Sequence, residues 1–513
     1  SRERVPSRSP RESSLAAARE LLRNVVLRMA VDHPFHVVPH LIAIGGCEDV
    51  LTDLLGPVGQ EMTVDHSVLV AAVQGCQAAV EFYPEVFRLA TPSKNDRHLS
   101  TRAKNKLKTH VKTFNMAVRG TRSRTTGRRS GHLIAVPSYT VPARHAIYKG
   151  GKVQTLMQYR DTPLIRGISE NIAALGGVNG SKKVSVHDTH GMVHEECLKM
   201  GKDDMLQTNL VMSFFDCANV ILQNQRGFSG TPVRTYKVHP FSQSSASSCG
   251  VLQMVPTCIS YHQWLESGDP WNDGVPACSR YMLPGCIESS ADFAHALKGL
   301  QMQGHQDRYT SEFKRILPRF PPVFRHFFLE RFPSPRRYLT ARQNYARSVA
   351  VSSVLGYVLG IGDRHADNIL IDQTSGQVVH IDLEYVFNDS DSLTIPEKCP
   401  VRLTQNVVDG LGPAGLNGLF RSTANSALAT LREQRDMFLV PVSVVAESPS
   451  FRWGEKADTS TLGARAVQGV AHKLAGIVDG RHRSVDEQMQ HVVQESTDLD
   501  NLGSMYSGWR AWL

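Results

Sequence analysis

The chain has 513 residues, 41% hydrophobic and 20% charged, a globular composition with length for about two to four domains. Its formal charge of +9 is compatible with a polyanionic partner without specifying one. Nine cysteines with no C-x-x-C pair argue against a zinc ribbon and are expected of a reduced, intracellular protein, and no uncharged apolar run reaches the ~18 residues of a membrane span.

The chain opens on Ser1 and is expected to be one end of a longer protein. Residues 14–50 and 65–90 carry apolar residues at helical spacing (Leu21, Leu22, Val25, Val26 and Met29; Val68, Val70, Val73 and Val80). They predict packed helices, punctuated at Gly45-Gly46 and Gly56-Pro57. Residues 97–118 continue as a basic helix. From 97 to 160 there are 15 Lys and Arg and no Asp or Glu, and removing those 15 from the net +9 leaves the rest of the chain at −6. The chain is therefore slightly acidic with one basic segment, within which residues 119–131 have almost nothing to bury and predict a mobile loop.

From about residue 133 the hydrophobic period shortens. β-branched runs at 133–136, 184–186, 233–238 and 251–255 predict a small antiparallel sheet, interrupted by one helix over 203–222. His187, His190, His194 and Glu195 straddle a predicted hairpin tip and are read as hairpin residues rather than a metal site. Beyond Pro256 the pattern is mostly helical. Residues 454–481, rich in Gly and charge, predict an irregular linker before a last helix and an aromatic tail. Trp509 and Trp512 in that tail are expected to pack inside the protein rather than enter a membrane interface.

The chemistry concentrates in residues 356–387, GYVLGIGDRHADNILIDQTSGQVVHIDLEYVF. Val351, Val354, Leu355, Val358 and Leu359 predict a buried helix face that stops at Gly360. Gly360 and Gly362 then free the backbone for a tight loop presenting Asp363, Arg364 and His365. Two β runs joined at Ser375-Gly376 predict a hairpin, and centring it near 375 sets Asn368 opposite Asp382. An amide oxygen and a carboxylate side by side suit Mg²⁺. Asp363 precedes Asn368 by five residues, the spacing of base and metal-binding asparagine in a kinase catalytic loop.

G-x-G-D-R-H-x-x-N followed by H-I-D resembles the phosphatidylinositol-3-kinase-like protein kinase family, in which D-R-H replaces the H-R-D of other protein kinases. Residues 317–332, 345–356, 402–404 and 409–421 resemble the large protein kinases of that family, and residues 492–513 resemble its C-terminal FATC segment. The LPRFPP run, the GPAG segment, Glu384 and the Gln494-Glu495 and Met505-Tyr506 pairs lean toward the ATR branch over the ATM branch. The resemblance implies an α+β, two-lobed kinase fold. The end of a helical FAT region and a basic linker would occupy 1–130, the N-lobe 131–255, the C-lobe 256–453, the linker 454–481 and FATC 482–513.

By the same resemblance Asp363 is the catalytic base, His365 its catalytic-loop neighbour, and Asn368 and Asp382 the Mg²⁺ ligands. Gly177 and Lys182 fall in the phosphate-covering loop, and Val255 in the hinge that meets adenine. The family places its ATP-phosphate lysine three residues before an acid that here is Asp203. That position holds Met200, with Lys199 one residue further back. A one-residue offset on a strand points a side chain to the other face. A bulge that re-aims Lys199, substitution by Lys202, and loss of the lysine are all open at this stage. Thr208 stands where a second helix acid is expected, and Met254 where relatives often carry Trp.

The implied activity is ATP- and Mg²⁺-dependent phosphorylation of Ser/Thr-Gln sites on proteins in nuclear DNA-damage checkpoint signalling. A regulatory partner is expected on an N-terminal region outside this sequence, with no membrane and only indirect DNA contact. The rivals are an ATM-like kinase of the same family, a catalytically impaired scaffold (on Met200), a DNA-binding module built on residues 97–131, and a phosphoinositide kinase. The last fits poorly, because residues 388–401 hold Asp389, Asp391 and Glu397 against only Lys398, where a lipid headgroup calls for basic residues.

Overall fold

Helices form where the sequence predicts them before residue 120, but Leu21, Leu22, Val25 and Met29, expected to pack, are exposed, and the first helix buries Leu27, Ala30 and Val31 instead. Helices run over Pro10–Asp32, Pro34–Ile44, Glu48–Leu55, Pro57–Met62, His66–Leu89 and Thr101–Arg119. The computed structural model describes residues 10–44, 48–92, 99–122, 129–139, 141, 145–175, 180–201, 205–225, 228, 230–243, 248–281, 290–388, 393, 395–446 and 459–513. These divide into two compact units, residues 1–209 with 236–254, and residues 210–235 with 255–513.

In the first unit the basic segment begins with an amphipathic helix, Thr101–Arg119. Ser100 caps it, its Oγ accepting the Ala103 N–H at 3.2 Å. Leu107, Val111, Phe114 and Val118 face the core while Lys104, Lys106, Lys108 and Lys112 stay exposed. After it, Thr121–Arg122 pairs with Arg129–Ser130, so the expected mobile loop is closed at its base by a short ladder. Its tip, 123–128, lies outside the described residues.

The sheet of this unit is antiparallel, with order Ile165–Ile168, Lys182–Asp188, Val193–Gly201, Ser248–Gln253 and Val238–Gln243, and Ala173–Ala174 also pairing with Lys182–Asp188. One face, carrying Val184, Val186, Leu198, Cys249 and Val251, packs on Phe82, Tyr83, Val86, Val111 and Phe114 of the helices. Two predicted strands differ. Residues 133–136 make only an isolated bridge, Ala135 to Leu164, because Leu133 N–H donates to Ala71 O on a helix instead. That run passes so close to the helix that a Cβ on Gly75 would lie 2.6 Å from Leu133 O. The run at 233–238 becomes strand only at Val238.

In the second unit the central element is Pro335–Leu359, whose C-terminal half is almost entirely buried and which ends where Gly360 takes φ +60°. Tyr261, Trp264, Phe324, Phe327, Phe328 and Tyr345 form an aromatic core beside it. The predicted linker is corrected here. Residues 459–475 form the helix Thr459–Ala475, because Ala466, Val470 and Leu474 recur every fourth residue and bury one stripe. Its neighbour Val485–Thr497 starts with a capping box between Ser484 and Glu487. Trp509 and Trp512 are fully buried, the latter with its ring centroid 4.8 Å from that of Phe293. Among the described residues one helix, Met205–Asn224, is long and apolar enough to cross a membrane, but 61% of its apolar stretch is buried within the protein, as in a core helix.

Candidate active site

The hairpin that carries the predicted metal ligands forms, with a register one residue away from expectation. Ile369 pairs with His380 and Ile371 with Val378. Asp372 N–H donates to Gln377 O, so the turn is the four-residue Gln373–Gly376 and its centre falls between 374 and 375. Asn368 therefore faces Ile381, whose N–H donates to Asn368 O at 3.0 Å, and Asp382 is the next residue along. Asp382 has φ +57°, so the backbone turns away from strand geometry there.

Asp363 also sits in the left-handed region, at φ +56°. Its neighbours over-determine that conformation. Its N–H donates to Glu397 Oε2 at 2.8 Å, and its carbonyl accepts Asn368 Nδ2 at 2.9 Å. Its Oδ2 lies 3.3 Å from the same amide nitrogen, and its Oδ1 accepts the Tyr506 hydroxyl at 2.8 Å. His365 Nδ1 accepts the Asp367 N–H at 3.2 Å, which leaves the proton on Nε2, 3.9 Å from Asp363 Oδ2. Burial holds the His365 pKa below its usual value.

Arg364 joins the Asp363 loop to the far end of the hairpin. Its guanidinium donates to Gly362 O and Ile381 O, each at 2.7 Å, and to Asp382 O. Arg402 supports the loop from behind, donating to Arg364 O at 3.3 Å and to the carbonyls of Trp509, Arg510 and Leu513. Burial pushes its pKa down to about 10. Burial and the nearby Asp363 carboxylate push Glu397 up to about 7. Burial, then Asp363, also raises Tyr506, so its hydroxyl keeps the proton it donates.

The donor set fits Mg²⁺. Asn368 Nδ2 is committed to Asp363, which leaves the amide oxygen as the ligand atom, and Asp382 adds a carboxylate. Mg²⁺ ordinarily takes only one or two protein ligands and completes its shell with phosphate and water oxygens.

In the first unit, Val193–Gly201 pairs without a register break on both sides, so no bulge re-aims Lys199. Met200 packs on the helical core with Leu198. Lys199 is opposite Gly250, where a Cβ would lie 2.9 Å from Met205 Cγ, so Lys199 is on the face toward the helix that Met205 begins. Lys182 falls on the opposite face, which corrects its predicted place beside the phosphates. It is 3% exposed, with its ammonium 5.3 Å from the centroid of the Phe87 ring, and desolvation lowers its pKa. Thr208 is buried, and Val255 is half-buried just past the strand ending at Gln253. Of the segment expected to cover the phosphates, the flanks pair through Leu175 N–H donating to Ser181 O, and Gly177 lies outside the described residues, as do Lys202 and Asp203. His194 binds Asp188 at 2.8 Å in the neighbouring hairpin, consistent with a hairpin rather than a metal role.

Motif reading missed Glu397, Tyr506 and the structural work of Arg402. Glu397 and Tyr506 lie 34 and 143 residues from Asp363, and local spacing carries no signal for such pairings.

Two family models match the chain, Phosphatidylinositol 3- and 4-kinase over residues 196–454 and the FATC domain over 483–513. Among curated proteins, the serine/threonine-protein kinase ATM of Arabidopsis thaliana is 28% identical over 98% of this chain and 13% of its own length. The serine/threonine-protein kinase tel1 of Schizosaccharomyces pombe is 36% identical over 59% of this chain and 10% of its own. Protein kinase rad3 of the same organism is 30% identical over 68% and 14%. The chain thus spans about a seventh or less of these relatives. Among solved structures, the FAT and kinase domain of CtTel1 superposes with a TM-score of 0.75 at 24% identity, over 96% of this chain and 32% of that one.

Proposed function

The chain belongs to the phosphatidylinositol-3-kinase-like protein kinase family, and from that premise we propose that it is an ATP-dependent serine/threonine protein kinase. The observation that carries this reading is Asp363, held in a strained backbone state next to Asn368 on a loop whose arginine binds the Asp382 carbonyl. Asp363 would accept the proton of a substrate hydroxyl as the hydroxyl oxygen bonds to the γ-phosphorus of ATP, while the bond from that phosphorus to the β,γ-bridging oxygen breaks and ADP leaves. Mg²⁺, on the Asn368 amide oxygen and the Asp382 carboxylate, would supply charge neutralisation at the phosphates. Lys199 is the proposed phosphate lysine, since Met200 is used by the core.

The substrates proposed are proteins carrying Ser/Thr-Gln sites, in nuclear DNA-damage checkpoint signalling with partners bound elsewhere in the full protein. This rests on the family resemblance and on relatives named ATM, tel1 and rad3. Those names support an ATM/Tel1-like kinase as well as the ATR-like one toward which the sequence features lean. The test is a Mg·ATP assay on a Ser-Gln peptide and on inositol lipid. Peptide phosphorylation that falls at least about 100-fold in Asp363→Ala is the expected result. Activity that survives this substitution, or that is confined to lipid, overturns the reading.

A further inference from the structure

Tyr506 is the one contact on the Asp363 carboxylate, among the described residues, that neither the catalytic-loop motif nor the hairpin supplies. Its hydroxyl donates to Oδ1 at 2.8 Å, while the loop's own groups, Asn368 Nδ2 and His365 Nε2, are on the Oδ2 side at 3.3 and 3.9 Å. The segment carrying it is fixed on both sides. Met505 is completely buried, and its carbonyl accepts Tyr309 Oη at 2.7 Å and Gln301 Nε2 at 3.0 Å. Ser507 N–H donates to Gln301 Oε1 at 3.1 Å, and Lys398 N–H contacts Met505 Sδ at 3.4 Å.

Two roles fit a hydroxyl on a catalytic base. It could occupy the place of the substrate hydroxyl and block it, or it could hold the carboxylate in the orientation the reaction needs. A blocking group must leave before each turnover. Here leaving would break the paired Gln301 contacts and expose Met505, while Trp509 and Trp512, both fully buried, anchor the chain immediately beyond. A carboxylate offers about four lone-pair sites, and one donor on Oδ1 leaves sites for an incoming hydroxyl. Glu397 already fixes the Asp363 backbone through its N–H, so the remaining freedom is rotation of the side chain, which a donor on Oδ1 removes.

We propose that Tyr506 is a positioning residue that orients the Asp363 carboxylate for proton abstraction, so that the segment carrying it completes the active site instead of merely bracing the fold. The proposal rests on Asp363 being the base, as argued above. Tyr506→Phe deletes the donor and keeps the ring.

In the full-length protein, with a Ser-Gln peptide and Mg·ATP, the expected outcome is a fall of about tenfold in kcat with KM for both substrates within about twofold. The melting temperature should stay within a few degrees of the parent, because no packing is lost. Replacing Tyr506 by 4-aminophenylalanine, which keeps an N–H donor at the same place, should recover most of kcat. It also serves as the test variant if the phenylalanine protein proves unstable, since a purely structural role would give no donor-dependent recovery. A rise in kcat for Tyr506→Phe would identify a blocking group and overturn the proposal, as would an unchanged kcat. Asp363→Ala measured alongside separates the failures. If it abolishes activity while Tyr506→Phe is silent, only the positioning role falls, whereas activity surviving Asp363→Ala removes the base assignment beneath it.

Discussion

A non-glycine residue in the left-handed region costs about 1–2 kcal/mol, and residues 356–387 contain three, Asp363, Asp382 and Phe387. The Asp363 cost is offset by the Glu397 carboxylate on its N–H and the Asn368 amide on its carbonyl. Glu397 is itself a carboxyl held up to about 7, and its Oε1 is buried without a hydrogen-bond partner among the described residues. A carboxyl whose folded pKa exceeds its unfolded value near 4.5 binds more protons when folded. Its contribution is complete below pH 4.5 and is lost as pH rises through about 7. Glu397→Gln keeps an acceptor for Asp363 N–H and cannot ionise. Melting temperature should fall less between pH 5 and pH 8 in this variant than in the parent, and equal slopes would refute the assignment. A second residue-scale expectation concerns Lys199 as the proposed phosphate lysine. Lys199→Ala should raise the KM for ATP and lower kcat, together at least about tenfold in kcat/KM. Met200→Lys should give no gain and should lower stability, because that side chain packs on the core. A gain in activity from lysine at 200 would return the catalytically impaired reading.

At the scale of elements, what the sequence showed was what local periodicity can carry. The buried face of Pro335–Leu359, the stop at Gly360, the hairpin and the helix over the basic segment all follow from spacing within about ten residues. The hairpin register did not, because a four-residue turn and a turn centred on one residue share the same Ser-Gly signal, and only the Asp372–Gln377 pairing distinguishes them. The helix Thr459–Ala475 was obscured by its glycines, each of which lowers helix propensity by about 1 kcal/mol relative to alanine. Gly463 has a packing reason, since a Cβ there would stand 2.4 Å from Ala446 O, whereas a Cβ on Gly469 meets nothing within 4 Å. The two positions should therefore respond with opposite signs. Gly469→Ala should stabilise by about 0.5–1 kcal/mol and Gly463→Ala should destabilise, as read by urea midpoints. The helix also has a functional attachment. Lys473 Nζ donates to Tyr357 O and Asn388 Oδ1, each at 2.8 Å, tying it to the end of the central helix and to the segment after Asp382.

At the scale of the whole chain, the charge surplus and the chemistry occupy different places. The lysines line one exposed helix face in the first unit, while the groups around Asp363 are held by contacts from the C-terminal residues. Such contacts join positions more than a hundred residues apart, which is why they could not be read from motifs. They also give residues 509–513 a part in holding the Asp363 loop. Removing residues 509–513 deletes two fully buried tryptophans, each worth about 3–5 kcal/mol in a core. It also strips Arg402 of three of its carbonyl partners and of the Trp509 ring, which stacks 4.4 Å from the guanidinium. A buried charge that loses most of its partners costs up to about another 3–5 kcal/mol. Any one of these losses is tolerable against a typical stability of about 5–15 kcal/mol, but together they are of the same size as the whole. A chain ending at Gly508 should therefore fail to give a cooperative thermal transition and should lose kinase activity. Arg402→Met in the intact chain, which removes the charge and keeps the tail, should fold and lose activity through the contact with Arg364 O. A truncated chain that melts cooperatively near the parent temperature would show that the C-terminal residues do not support the catalytic loop.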